Sequence, residues 1–262
     1  HTWLPDAHVE APTPASVMLA GVLLKMGTYA LLRFNFTMLS ETAREFAWLI
    51  ALLGVISVIY GAMLAMAQRD LKRIVAYSSV SSMGFVLLGL AAFTEFGLGG
   101  ATFQMVSHGL ISGLMFMTVG VIYNVTHTRM VQDMSGLADK MPYTVGVFVA
   151  AAFGYMGLPL MSGFAGELFV FLGSFGEFPV LTAVGMFGIV LVAGYLLFAM
   201  QRTLFGPFEY DGDYEIARAA GHDVMPLLVL LGLVIVVGTF PDASIFDMIT
   251  DAVAALASGG GA

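Results

Sequence analysis

Residues 143–175, YTVGVFVAAAFGYMGLPLMSGFAGELFVFLGSF, form an apolar stretch that is interrupted near its middle. A membrane-spanning helix needs about 20 residues, so this stretch is too long for one straight crossing. The interruption, GLPLMSG at residues 157–163, contains Pro159, which removes a backbone hydrogen bond from a helix. Discontinuous helices of this kind recur at the ion sites of transporters. Glu167, close behind the break, favours a functional break over a simple proline kink.

The composition is that of an integral membrane protein. Of the 262 residues, 59% are hydrophobic and 11% are charged, whereas soluble domains carry about 25% charged residues. The absence of cysteine excludes disulfides and thiolate metal sites. The net charge of −8 argues against nucleic-acid binding, which requires a basic face. An acidic water-facing surface fits either ordinary solvation or the high-salt cytoplasm of a halophile.

Apolar stretches follow one another and predict an all-α, polytopic membrane protein with about seven transmembrane helices and a broken helix near residues 157–163. Three prolines in the opening HTWLPDAHVEAPTP predict that no regular helix forms there. Residues 242–257 place apolar side chains opposite acids, which predicts an amphipathic segment at the interface or on a partner, followed by a flexible SGGGA tail. The predicted spans are residues 15–34, 46–66, 71–93, 98–123, 143–175, 180–201 and 225–240.

Basic residues in the connecting loops predict the orientation of the chain. The loops after the second, fourth and sixth spans carry seven lysines and arginines, and the opposite loops carry two. The loops after the second, fourth and sixth spans are therefore expected on the cytoplasmic side. The seven residues are Arg69, Lys72, Arg73, Arg129, Lys140, Arg202 and Arg218, and the two are Arg33 and Arg44.

Three ionisable side chains lie inside predicted spans: Lys25, His108 and Glu167. A charge at the centre of a bilayer costs on the order of 2.5 to 3.5 kcal/mol even on a lenient scale. Because all three side chains can exchange protons and lie on separate spans, they suggest a path for ions. Alternatively, Lys25 forms a salt bridge that only joins helices, and His108 is a hydrogen-bonded residue of the core.

Polar side chains near these residues are candidate supporting groups. Ser107 and Ser112 lie on the same span as His108, and this long span either tilts or unwinds near the histidine. The third span opens with DLKRIVAYSSVSSMGF, in which Asp70 and Lys72 are interpreted as anchors at the membrane surface. Its serines, which include Ser82, form a hydroxyl-rich turn that can hydrogen-bond to a neighbouring helix or hold water.

The sequence predicts no cofactor and no catalytic centre. There is no P-loop, no GxGxxG motif after a strand and no nucleophile elbow, so no nucleotide, flavin or iron–sulfur site is expected. His1 and His8 flank the segment WLPDA, but their spacing gives only weak support for a metal site, and none is predicted.

The chain contains, in this order, HTWLPDAHVEAPTPASVMLAGVLLKMGTYALLRF, AQRDLKRIVAYSSVSSMGFVLLG, QMVSHGLISGLMF, THTRMVQDMSGL and GLPLMSGFAGELFVF. Together these motifs resemble the antiporter-like proton-pumping subunits of respiratory complex I. Within that group the chain is most similar to subunit M, which is NADH dehydrogenase subunit 4 in mitochondria. The similarity runs from His1 to about Pro241, and the joint occurrence of the motifs makes it highly specific.

The resemblance implies roles for the ionisable residues. Lys25 matches the family's central buried lysine, and His108 matches the histidine that links the central and exit parts of the polar axis. Glu167 matches the acidic residue of the second broken helix, where subunits L and N and related antiporter subunits typically have lysine, so glutamate favours the M type. Ser82 stands where the family often has a histidine, and a relay through that position must use a hydroxyl or water.

The family is built from two inverted repeats, and the resemblance covers the second repeat only. Residues 1–241 are expected to form the proton-translocating antiporter-like domain, and residues 242–262 the amphipathic segment and tail. A separate chain or a longer product is expected to supply the first repeat. Without it, the chain is not expected to pump.

The expected function is that of a non-catalytic membrane subunit of a complex I-like NADH/quinone oxidoreductase, which translocates protons while quinone is reduced elsewhere in the complex. The expected partners are other membrane subunits and the lipid bilayer, without nucleic acid. The expected location is the cell membrane of a prokaryote. Two alternatives stay open: a subunit of a multi-subunit cation/proton antiporter, and a membrane scaffold that does not transport ions.

Overall fold

A computed structural model of the chain describes residues 1–210 and 219–257. This part is almost entirely helical, which confirms the prediction of an all-α, multi-pass membrane protein. Arg218, one of the basic loop residues, and the glycine-rich tail lie outside the described residues.

The elements follow the order of the predicted spans. The helices are α1 (Leu4–Glu10), α2 (Thr13–Met38), α3 (Ser40–Glu45), α4 (Ala47–Met66), α5 (Leu71–Ala91), α6 (Glu95–Thr126), α7 (Pro142–Tyr155), α8 (Ser162–Ser174), α9 (Pro179–Thr203), α10 (Gly221–Thr239) and α11 (Asp247–Ala257). Wide π turns interrupt α2 at Leu19–Leu23 and Leu31–Asn35, and a third covers Asp242–Phe246. Two short strands, β1 (Met134–Ser135) and β2 (Glu209–Tyr210), pair in antiparallel fashion.

The membrane crossings agree with the predicted spans. Six helices of the described residues are each long and apolar enough to cross a membrane: α2, α4, α5, α6, α9 and α10. The fifth crossing consists of the shorter apolar helices α7 and α8, which confirms the predicted break. Gly157 and Leu160 adopt left-handed backbone there, with φ of 65° and 76°. Because leucine rarely adopts this conformation, neighbouring elements must hold the break in its shape.

The expectation that the opening segment contains no helix is wrong. Leu4–Glu10 is helical because Pro5 occupies the first turn, where its missing N–H group leaves no helical hydrogen bond unmade. Pro12 follows the end of α1, and Pro14 again falls in the first turn of the next helix. The prolines therefore mark the ends of two helices and prevent neither.

Helix α6 lies at the centre of the molecule. It is a continuous helix of 32 residues that packs against α2, α5, α7, α8, α10 and α11. A helix of this length is about 48 Å long and exceeds the hydrocarbon layer, so it tilts or extends beyond it. It does not unwind near His108. Gly109 permits a close approach to α2, because a Cβ atom there would lie 2.9 Å from the carbonyl oxygen of Gly21.

The three basic loops meet at one end of the helix bundle. The backbone N–H of Leu71 donates to the carbonyl oxygen of Arg129 at 2.9 Å, which joins the α4–α5 loop to the α6–α7 loop. The β1–β2 pair joins the α6–α7 loop to the α9–α10 loop. The prediction that these loops share one side is confirmed by these contacts, and their cytoplasmic location stays a prediction.

The C-terminal segment packs on its own chain. Phe246 stacks on Phe169 of α8 with ring centroids 3.9 Å apart, and it meets Phe103 of α6 edge-on at 5.9 Å. The predicted amphipathic helix is therefore present, and its apolar side packs against α6 and α8 of its own chain, whereas its location at the membrane interface stays a prediction. Its buried residues include Ile249 and Val253, and its exposed residues include Asp247 and Asp251.

Candidate functional site

Lys25 lies at the middle of α2, between the two π turns of that helix. Such wide turns are rare and occur frequently at functional sites. The side chain is 9% exposed, and its ammonium group donates to the carbonyl oxygen of Ala20 in the first π turn. No carboxylate of the described residues lies within salt-bridge distance of Lys25. The alternative of a helix-joining salt bridge therefore has no support within this part of the chain.

A cavity of about 560 Å³ lies beside Lys25, between α2 and α6, with Leu230 of α10 at its edge. Its walls are mostly apolar, and Lys25 is the one charged side chain among its lining residues within the described chain. Gly109 of α6 lies next to the lysine, because a Cβ atom there would be in ordinary van der Waals contact with Lys25 Cε, at 3.9 Å. The lysine thus reaches α6 one residue away from His108.

His108 is fully enclosed between α6, α5 and α7. Its Nε2 atom lies 3.4 Å from the hydroxyl oxygen of Tyr155, the last residue of α7, and the two rings meet edge-on. The same tyrosine hydroxyl lies 3.3 Å from Ser79 Oγ on α5. The sequence analysis did not single out Tyr155, since a tyrosine in an apolar span is typical of an ordinary core residue.

Two buried serines connect α6 to the broken crossing. Ser107 Oγ donates to Ser162 Oγ at 2.9 Å, and Ser162 is the first residue of α8. Ser112, also predicted as a supporting residue, is buried and donates to the carbonyl oxygen of Gly109 at 3.4 Å. Ser82 is buried on α5. Ser107 is therefore the supporting residue that reaches the break directly.

Glu167 is buried on α8 and faces the break. A Cβ atom at Gly157 would lie 2.5 Å from Glu167 Oε2, so the carboxylate approaches the backbone of the break closely, and the positive φ of Gly157 favours glycine there. Glu167 Oε2 and Gln104 Oε1 have no hydrogen-bond partner among the described residues. Gln104, which the sequence analysis missed, precedes His108 by one helical turn. Buried acceptors of this kind can receive a proton or a hydrogen-bond donor.

His8 on α1 is a third residue that sequence analysis did not assign to the site. It is fully buried and stacks on Phe116 of α6 with ring centroids 4.7 Å apart. Burial, together with the smaller effect of the positive charges of Lys72 and Lys25, lowers the pKa of His8 to about 4. His8 is thus electrostatically coupled to both lysines. No cluster of histidine and acidic residues in the described chain is suited to a metal ion.

The interpretation of Asp70 and Lys72 as membrane-surface anchors is wrong, because both side chains are buried. Asp70 caps α5 by accepting the backbone N–H of Lys72 at 2.7 Å and forms an ion pair with Arg129, also at 2.7 Å. The Lys72 ammonium donates to the carbonyl oxygen of Ala11. These residues join the start of α5 to the loops around it, and a supporting role in ion transfer stays a prediction.

The structure therefore pairs Ser107 with Ser162 and, separately, His108 with Tyr155. Lys25 and Glu167 have no direct hydrogen bond to these four residues among the hydrogen bonds of the described chain. Buried proton-exchanging side chains near the middle of membrane spans, next to a discontinuous helix, define a class: helical membrane proteins with a polar row of the kind found in ion transporters.

Sequence comparison agrees with this class and defines the family. The family model described as NADH:quinone oxidoreductase/Mrp antiporter, transmembrane region, matches residues 1–197, and the chain belongs to this family. A curated relative, NAD(P)H-quinone oxidoreductase chain 4 1 of Synechococcus elongatus, is 45% identical over 263 residues, which cover 97% of this chain and 49% of the relative. The chain thus spans about half the length of the curated relatives it matches.

Solved structures share the fold. A chain of respiratory complex I from Thermus thermophilus with bound NADH matches with a TM-score of 0.89 at 30% identity, over 98% of this chain and 55% of that one. A chain of the Mrp complex from Dietzia matches with a TM-score of 0.90 at 20% identity, over 99% of this chain and 56% of that one. The second likeness shows the fold alone. The resemblance to complex I subunits of the M or subunit 4 type is confirmed.

Proposed function

We propose that this chain is the second repeat of a subunit 4-type component of a quinone oxidoreductase complex and that it carries protons across the membrane. The contact between Ser107 and Ser162 carries the proposal. It joins the helix that bears His108 to the broken crossing that bears Glu167. The contact of His108 Nε2 with Tyr155 of α7 joins the same helix to the same crossing at a second point.

The three ionisable residues have different tasks in this proposal. Lys25 holds a proton beside the apolar cavity, His108 passes it on, and Glu167 receives it at the break. These three residues are called the row below. Hydroxyl groups can accept and donate at the same time, which suits Ser107 and Ser162 to the transfer between helices. Water bridges the steps that are longer than a direct hydrogen bond.

The energy for this transport comes from a partner, because the sequence carries no motif for a redox group. The curated relatives are named NAD(P)H-quinone oxidoreductase chains, which supports quinone reduction elsewhere in the complex as the source. The partners are other membrane subunits, including a chain or segment that supplies the first repeat. The membrane is the cell membrane of a prokaryote, and the net charge of −8 fits an organism with a salty cytoplasm.

The proposal is tested in inverted membrane vesicles that contain the assembled complex. Lys25→Ala and Glu167→Gln are compared with Lys140→Ala, which removes an exposed lysine that stacks on Phe208 at one end of the bundle. The measured quantity is the number of protons moved per electron delivered to quinone. It is expected to fall in the first two variants and to stay unchanged in the third.

Two outcomes would overturn the proposal in favour of its alternatives. An unchanged proton-to-electron ratio in Lys25→Ala would leave the chain as a membrane scaffold. Proton movement that requires sodium and continues when quinone reduction is inhibited would identify a cation/proton antiporter subunit. Assembly of each variant, followed by the amount of complex in the membrane, separates loss of transport from loss of folding.

A further inference from the structure

Tyr155 occupies a place where three membrane helices exchange polar contacts. It ends α7 directly before the break, and its side chain is 4% exposed. The hydroxyl oxygen lies 3.4 Å from His108 Nε2 on α6 and 3.3 Å from Ser79 Oγ on α5. The tyrosine and histidine rings meet edge-on, with centroids 5.6 Å apart and an interplanar angle of 86°. The phenol is thus held between a histidine and a serine on two different helices.

His108 depends on this tyrosine for its hydrogen bonding. Among the described residues, Tyr155 is the one side chain within hydrogen-bond distance of the imidazole, and Nδ1 has no partner. A buried histidine that changes its charge needs a partner that serves both forms, because an unpaired polar group in a dry interior is costly. A group that only donates would bond Nε2 only when that nitrogen is unprotonated, and a group that only accepts would bond it only when it is protonated.

A phenol hydroxyl meets this requirement because it both donates and accepts. When the imidazole is neutral, the Tyr155 O–H donates to Nε2, and the ring proton resides on Nδ1. When the imidazole is charged, Nε2–H donates to the phenol oxygen, and the phenol hydrogen turns toward Ser79 Oγ. Ser79 can accept it, since its own hydroxyl donates to the carbonyl oxygen of Val75 at 3.2 Å.

We propose that Tyr155 is a positioning residue for proton transfer: it keeps Nε2 of His108 hydrogen-bonded whether or not that nitrogen carries a proton, by rotating its hydroxyl between His108 and Ser79. This inference rests on the proposed function and deepens it. It assigns a role to Tyr155 and to the Ser79 hydroxyl of α5, which are not members of the row from Lys25 to Glu167.

The test is Tyr155→Phe in the assembled complex, with Tyr195→Phe as the matched control. Both tyrosines are buried, and the control hydroxyl has no hydrogen-bond partner among the described residues. Removing one hydrogen bond is expected to slow proton transfer about threefold to tenfold in Tyr155→Phe. Hydrogen bonds to charged groups are the stronger ones, so half-maximal transfer is also expected to move toward acid pH by up to about one unit. Tyr195→Phe should change neither quantity.

A purely structural role would be revealed by the pH profile. Looser packing would lower the rate equally at all pH values, and this result would overturn the proposal, as would a Tyr155→Phe rate equal to that of Tyr195→Phe. Ser79→Ala supplies a second test. Because Ser79 acts through Tyr155, the double variant should lose no more than Tyr155→Phe alone, and additive losses would contradict the inference.

The inference and the proposed function fail in different ways. If Lys25→Ala abolishes transport while Tyr155→Phe matches its control, the inference is refuted and the proposed function stands. If Lys25→Ala transports protons normally, both are refuted. Melting temperatures of the purified complexes, expected to be similar for the two tyrosine variants, exclude unfolding as the cause of a slower rate.

Discussion

The contact between the end of α10 and the broken crossing gives a prediction that depends on packing alone. Gly238 lies in the last turn of α10, against the backbone of the break. A Cβ atom at this position would collide with the backbone of Met161 and Ser162 and would lie 2.7 Å from the carbonyl oxygen of Leu160. All three neighbours are backbone atoms, so no side chain can rotate away. Gly238→Ala must therefore displace either α10 or the break.

The size of the effect follows from a comparison within the same helix. Gly232 is exposed on α10, and a Cβ atom there meets nothing within 4 Å. Replacing a helical glycine by alanine gains up to about 1 kcal/mol of helix propensity, and both variants share this gain. The difference between them is thus the cost of overpacking, about 1 to 3 kcal/mol.

The assay is thermal unfolding of the purified complex in detergent, followed by the fluorescence of the subunit. Each kcal/mol of overpacking cost lowers the melting temperature by about 2–4 °C for a chain of this size. Gly238→Ala should therefore melt below Gly232→Ala. Gly232→Ala should melt at or slightly above the wild-type temperature. Equal melting temperatures for the two variants would refute the packing of α10 against the break.

Two further predictions concern polar residues outside the row. Asp70→Ala removes both a helix cap, with a cost of about 0.5 to 2 kcal/mol, and the ion pair with Arg129, and it should lower the melting temperature more than Asp70→Asn, which keeps a capping oxygen. The pKa of His8 is about 4 in the folded chain and ordinarily 6.5. The folded chain therefore disfavours protonation of His8, and the fold has its full stability above pH 6.5. As the pH falls from 6.5 to 4, the fold loses about 3 kcal/mol of stability at most. His8→Phe should lack this part of the pH dependence of melting.

Local sequence rules predicted the crossings and the break but not the first helix. The break could be predicted because Pro159 and its glycines interrupt an apolar run, which is a local signal. Helix α1 was missed because Pro5 was taken as a breaker, although proline in a first turn is compatible with a helix. The π turns around Lys25 have no recognised sequence signal. The amphipathic pattern of α11 predicted which face is buried but not that α6 and α8 cover it.

The site was predicted only where an unusual residue type gave a signal. Lys25 and Glu167 are conspicuous in apolar spans, whereas Tyr155 and His8 act through contacts with helices far away in the sequence. Tyr155, for example, is separated from Ser79 by 76 residues. Gln104 was within reach of sequence reasoning, because it lies four residues before His108 and therefore on the same helix face. In contrast, the lack of a hydrogen-bond partner at the Gln104 side-chain oxygen depends on how α8 packs against α6, which sequence reasoning does not give.

The row from Lys25 to Glu167 runs across the helix bundle, because Lys25 and His108 each lie near the middle of a span and Glu167 follows a break within another. The transmembrane voltage acts along the bilayer normal and does about 2.3 kcal/mol of work on one elementary charge per 100 mV over the full thickness. In the proposed function, a charge that moves along this row stays at nearly constant depth, so the electric field does little work on it. The voltage acts instead on the steps by which charge arrives at the row and leaves it, and those steps set how steeply transport responds to membrane potential.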